Sequence, residues 1–195
     1  MVSSDEQLIE RYLAGDTESF NGLVRRWEKR IYNFTLRYCG SREDAQDLSQ
    51  EVFTSVFQRL SGLKDQRRFA PWLYTIALNC CRMRHRSGKG RQSLPLDAPE
   101  WTESLEAEVS LNSDSQVRSS PEASLGRMEH QELLKHALAS LSDEQRVVIL
   151  LKEYEGLKFH EIAEILECPL STVKSRLYVG FRALRAFLEQ RGLTP

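Results

Sequence analysis

The sequence predicts an all-α fold of two small helical domains joined by an acidic, flexible linker, and three observations carry that prediction. Apolar residues recur at three- and four-residue spacing through most of the 195 residues, with no convincing two-residue alternation of the kind a half-buried strand needs. Residues 93–123 break the pattern. There Pro95, Pro99 and Pro121 stand among Ser, Asp and Glu without a sustained apolar period, so the stretch cannot bury enough surface to offset its ordering entropy. The charge divides in step: a net −1 at pH 7 hides 16 Lys/Arg against 11 Asp/Glu over 1–91, 1 against 7 over 92–125, and 10 against 10 over 126–195. The expected limits are therefore a first domain over 1–91, a linker over 92–125 and a second domain over 126–195.

Four helices are expected before the linker. The first spans about 5–14 and stops at Gly15. The second spans about 17–38, where Phe20, Leu23, Val24, Trp27, Ile31, Phe34 and Tyr38 fall on one face, and Gly40 ends it. Ser41 opens the third, with Asp44 completing a pair like a capping box, and Leu48, Val52, Phe53, Val56, Phe57 and Leu60 form its apolar stripe. The fourth spans about 71–86. After the linker, helices are expected over about 121–140, from Ser142 (paired with Gln145 as a second capping box) to near Gly156, over 158–166, and over 171–190.

The last two helices, separated by the turn Glu167-Cys168-Pro169-Leu170, make a helix-turn-helix pattern. Val173, Leu177, Phe181, Leu184 and Leu188 supply a packing stripe for the second of them. Thr172, Ser175, Arg176, Val179 and Arg182 project the opposite way, with Ser171, Lys174 and Tyr178 at the start and flanks. Hydroxyls and guanidinium groups near the N-terminus of such a helix suit base edges in a major groove, and Arg182 and Arg185 better suit phosphates. An ordinary solvated helix face is the plainer alternative.

The fourth helix carries a polar stripe of Thr75, Asn79, Arg82 and Arg86 opposite Leu73, Ile76, Ala77 and Cys80. Residues 64–91 hold 8 Lys/Arg and a single acid, Asp65, beside Phe69, Trp72 and Tyr74. Cations interleaved with rings suit an unpaired nucleic acid strand, although Trp72 and Tyr74 are equally at home in a core. The third helix is acidic in its first half, through Glu43, Asp44, Asp47 and Glu51 with Gln50 among them. Acids near a helix N-terminus complement its dipole, and this many also suit a docking face for a basic protein.

Several classes are disfavoured. No apolar run approaches the roughly 20 residues that cross a bilayer, and the N-terminus has neither the basic nor the apolar part of a secretory signal, so a soluble, cytoplasmic protein is expected. Cys39, Cys80, Cys81 and Cys168 form no Cys-x-x-Cys pair and read as plain thiols rather than metal ligands or redox sensors. His160-Glu161 opens like a zinc-protease signature, but Glu164 stands where the second His belongs. With no P-loop and no nucleophile elbow either, neither an enzyme nor a bound cofactor, metal or small-molecule substrate is expected. A ligand-sensing helix-turn-helix regulator remains as a rival, which the acidic linker and the Arg-rich fourth helix fit poorly.

In this order and spacing the motifs resemble the extracytoplasmic-function class of bacterial sigma factors across nearly the whole chain. Asp47-Leu-Ser-Gln50-Glu51-Val-Phe53 is similar to the family's region 2.2, which implies docking of Asp44, Asp47, Gln50 and Glu51 on the β′ clamp helices of core RNA polymerase. Trp72-Leu-Tyr74-Thr-Ile-Ala-Leu-Asn79 resembles regions 2.3 and 2.4, implying melting and reading of a promoter −10 element with Asn79 at an extruded base. Residues 141–146, 161–163 and 168–176 resemble region 4, which implies −35 recognition and a contact with the polymerase β flap. Val179 departs from relatives that place Arg there, so their −35 preference does not carry over. The resemblance also implies a linker threading the polymerase near the RNA path and control by an anti-sigma factor, often membrane-bound.

Overall fold

A computed structural model describes residues 3–86 and 133–193; the predicted linker and the first part of the helix expected over 121–140 lie outside them. The protein is all-α, with no strand among the described residues. No described helix is long and apolar enough to cross a membrane.

Helix α1 (Asp5–Leu13) begins in a capping box that sequence inspection missed: Ser4 accepts from the Gln7 backbone while the Gln7 side chain accepts from Ser4 N–H. Asp5 then ties α1 to α2 (Thr17–Cys39), accepting from Trp27 Nε1 at 3.1 Å and from Arg26 at 2.6 Å. Gly40 ends α2 at φ +79°, a left-handed conformation that a Cβ would penalise, and lets the chain reverse into α3 (Arg42–Arg59). Two short 3₁₀ turns, Leu60–Gly62 and Gln66–Arg68, lead into α4 (Phe69–Arg86), two residues longer at its start than predicted. These helices close on an aromatic core in which Trp27 meets Phe69 and Tyr74 edge-on at 5.9 and 6.1 Å, and Phe34 meets Tyr74 at 5.3 Å.

The second body starts with α5, helical over 133–139, followed by α6 (Asp143–Ile149), whose predicted Ser142–Gln145 capping box forms. The chain continues as a π-helical turn, Leu150–Tyr154. Val147, Val148, Ile149, Leu150 and Leu151 are all buried, which no amphipathic surface helix achieves; α6 and this turn run through the middle of the body. Helices α7 (Phe159–Ile165) and α8 (Leu170–Glu189) complete it.

Two expected packing stripes need correction. Phe57, assigned to the core face of α3, is 53% exposed and stacks with Tyr12 and Phe20 at the surface. On α8, Phe181 is also outside, at 41% exposure; Gly180 faces inward instead, so close to α6 that a Cβ would come within 2.9 Å of Ile149 Cδ1. Leu184 and Leu188 are only half-buried, so the buried stripe of α8 consists of Val173, Leu177 and Gly180.

Candidate nucleic-acid interface

The helix-turn-helix forms as its sequence implies. The turn is held by Cys168 N–H on the Ala163 carbonyl at 3.1 Å, and Glu167 bends the chain at φ +49°. Pro169 caps α8, its carbonyl accepting from Thr172 and Val173. With Val173 and Leu177 drawn inward, Ser171, Lys174, Ser175, Tyr178, Val179 and Arg182 are exposed on α8 and Thr172 is half-exposed. Arg176 differs: it is held by Glu144 at 2.7 Å and contacts Cys168 Sγ at 3.7 Å. Of the cations predicted to read DNA, Arg176 is thus pre-oriented whereas Arg182 projects into solvent.

Helix α4 divides as predicted. Leu73, Ile76, Ala77 and Cys80 are buried; Asn79 and Arg86 are exposed; Thr75 and Arg82 are half-exposed. Thr75 turns its hydroxyl back onto the Pro71 carbonyl at 3.0 Å. The two rings part company. Trp72 is half-buried and lines a cleft with Lys64, Arg68, Thr75, Glu164 and Ile165. Tyr74 is fully buried, and its hydroxyl donates to the Glu155 carboxylate; burial, then the neighbouring carboxylate, pushes its pKa far up.

On α3, Asp47, Gln50 and Glu51 are exposed and Asp44 is half-exposed, but the acids are not independent of α4. Arg84 reaches Asp44 at 3.2 Å, Asp47 at 3.6 Å and Glu51 at 3.8 Å. The acidic face is partly neutralised and coupled to the helix that carries Asn79.

Sequence reasoning missed the groups that join the two bodies. Glu155 of the second body is a buried carboxylate facing Arg30 Nε at 3.6 Å and Arg37 at 4.0 Å, besides Tyr74; Arg30 also donates to its backbone carbonyl at 3.1 Å. Arg37 lies over the Tyr154 ring at 4.3 Å, Arg146 donates to the Tyr38 carbonyl at 3.3 Å, and Arg68 pairs with Glu164. A faint signal existed: Arg37 stands between Leu36 and Tyr38, on a helix with Arg30 two turns earlier. Nothing in the sequence pairs them with Glu155.

Three of the four thiols, Cys39, Cys80 and Cys81, are disfavoured as thiolates by burial. Burial pushes Cys39 to about 11 and Cys81 well above its ordinary value. Among the described residues no group of His, Cys, Asp and Glu is arranged to hold a metal ion.

The first body bears a basic, ring-flanked helix beside an acidic one and the second a helix-turn-helix, parts suited to a protein that handles DNA together with a protein partner. Residues 23–91 match the family described as Sigma-70 region 2, and residues 131–184 the family described as Sigma-70, region 4. The chain is 30% identical over 186 residues to the RNA polymerase sigma-H factor of Pseudomonas aeruginosa, covering 95% of this chain and 94% of that protein. It is 32% identical over 183 residues to the ECF RNA polymerase sigma-E factor of Escherichia coli K12, covering 93% and 92%. Among solved structures, CnrH in complex with the cytosolic domain of CnrY superposes with a TM-score of 0.66 at 22% identity, over 96% of this chain and 99% of that one. The sigma factor RpoE in complex with the anti-sigma factor NepR, from Bartonella quintana, gives 0.64 at 21%, over 88% and 98%; at these identities the likeness shows a shared fold. The chain belongs to the sigma-70 family of transcription initiation factors, in its extracytoplasmic-function branch.

Proposed function

We propose that the chain docks on core RNA polymerase through Asp44, Asp47, Gln50 and Glu51 of α3 and through its second body on the β flap. Ser171, Thr172, Lys174, Ser175, Arg176, Tyr178, Val179 and Arg182 of α8 then read a −35 duplex. Trp72, Thr75, Asn79, Arg82 and Arg86 of α4 serve the −10 element, with Asn79 holding an unstacked base, while Tyr74, expected among them from the sequence, is buried and packs the helix from within. Capturing such a base costs a few kcal/mol, which polar contacts and cations along one stripe offset. The observation that carries the reading is the division of α4: a buried face fixes the helix, and the face opposite presents Asn79 and Arg86 to solvent. The working limits are 1–91 for region 2, 92–125 for the connecting segment and 126–195 for region 4. The site is cytoplasmic, where polymerase is, and the chemistry is binding and strand separation rather than catalysis. The sigma factor RpoE of Bartonella quintana, which shares this fold, was solved with the anti-sigma factor NepR, and that supports an anti-sigma partner here as well.

The test separates docking from melting. Charge reversal at Asp47 and Glu51 should weaken binding to core polymerase in fluorescence anisotropy. Asn79→Ala should leave that binding intact and lower open-complex formation by about tenfold or more, scored by permanganate reactivity of unpaired thymines. Equal loss of both activities in Asn79→Ala would count against the assignment.

A further inference from the structure

Resting on the sigma reading above, we propose that this chain closes on itself through a Glu155 latch, region 4 walling the Trp72–Thr75 end of the proposed −10 face while Asn79 stays exposed, until polymerase separates them. The contact is specific. Glu155 leaves the π turn of region 4 and enters region 2 between Arg30 and Arg37, where Tyr74 donates to it and its backbone carbonyl accepts from Arg30. A carboxylate taken out of water is tolerated only where charge and hydrogen bonds surround it, and this one, 8% exposed, has both from the other body. The rest of the seam is ordered around it: Arg146 on the Tyr38 carbonyl, Arg37 over Tyr154, Arg68 on Glu164.

The closed form is unsuited to an unpaired strand. Helix α7 lies along α4, with Glu164 and Ile165 walling the cleft that Trp72 and Thr75 line. Two carboxylates, Glu155 and Glu164, take up cations of region 2 (Arg30, Arg37 and Arg68) that would otherwise favour a phosphate backbone. The acidic α3 face and the outer face of α8 stay exposed, so polymerase and duplex can engage before the latch opens. Separating −10 from −35 reading requires Glu155 to leave, and the polymerase contacts supply the energy.

The experiment uses the full chain alone and with core polymerase. Small-angle scattering of the wild type should give a compact particle; Glu155→Arg and, separately, Arg30→Glu should raise its radius of gyration. The double variant E155R/R30E, which restores opposite charges, should return it toward wild type, a rescue that damage to folding would not produce. Circular dichroism identifies any variant that has lost helix, and Arg30, at the surface, is the safer of the two. If about one wild-type molecule in ten is open, either single change raises apparent polymerase affinity by up to about tenfold. A wild type already extended in solution, or a folded R30E with unchanged radius, overturns the latch. Failure of the wild type to bind polymerase overturns the functional reading, and self-inhibition with it, whatever the radius.

Discussion

Helices α4 and α8 are the two proposed to meet nucleic acid, yet α4 buries nine of its 18 residues and α8 three of its 20. The difference is one of company. Helix α4 is packed by α2 and α3 on one side and by α7 on another, so even Tyr74 becomes a core residue. Helix α8 touches mainly α6 and α7 through Val173, Leu177 and Gly180, and its second half runs out with Phe181 exposed. A helix that reads duplex DNA needs only one fixed face, because the groove supplies the rest of its surroundings. A helix that holds an unpaired base must itself supply the rigid wall, which its packing would let α4 do under the proposed reading.

The comparison breaks most visibly at Tyr74. Replacing it with Ala removes a ring packed on Trp27 and Phe34 and should cost about 3–5 kcal/mol in denaturant unfolding, against less than about 0.5 kcal/mol for Asn79→Ala on the same helix. A Tyr74→Ala variant as stable as wild type would mean that Tyr74 is not core. On α8 the matching position is Gly180. A valine there meets Ile149 and Gln145 and should destabilise region 4 by about 1–3 kcal/mol, measured by thermal melting; an unchanged melting temperature would show the α6–α8 contact to be loose.

Thiol chemistry sharpens the contrast next. Cys81 on α4 is buried with its thiolate disfavoured, whereas Cys168, in the turn before α8, is half-exposed. Iodoacetamide at pH 8 should label Cys168 at least about tenfold faster than Cys81 in the native chain, read by peptide mass spectrometry. Similar rates would imply frequent opening of the α4 core. The smallest effect is at Arg182. Its replacement by Ala should weaken −35 duplex binding across sequences and reduce the slope of log affinity against log salt by about one, without altering stability. Loss confined to one base-pair position would instead make Arg182 a reader of sequence.

Much of this was legible beforehand because it is local. The Ser142–Gln145 box, the Gly40 stop and the helix-turn-helix turn each depend on residues within a few positions of one another, and all formed. The division of α4 into two faces was also readable from spacing. What escaped depends on the other body or on the exit angle of a helix. Phe57 and Phe181 fit the apolar period of their helices, but Phe57 is covered only in part, by Tyr12 and Phe20, and both stay exposed at 53% and 41%. Tyr74 could have been a stacking ring or a core ring, and only the arrival of Glu155, 81 residues later, settles its hydroxyl. Arg84, which gathers Asp44, Asp47 and Glu51, was hidden because ion pairs between helices leave no periodic trace.

The π turn at Leu150–Tyr154 has a consequence for how such chains diverge. A π turn amounts to one residue inserted into an α-helix, and each residue of an α-helix turns it by about 100°. Straightening the same residues into a regular α-helix would swing Glu155 by that angle away from Arg30 and Arg37, whereas deleting one codon within 150–154 would remove the bulge and leave Glu155 on its face. Self-closure would thus be gained or lost in a lineage by substitutions that favour or straighten this one turn, leaving the proposed reading residues of α4 and α8 untouched.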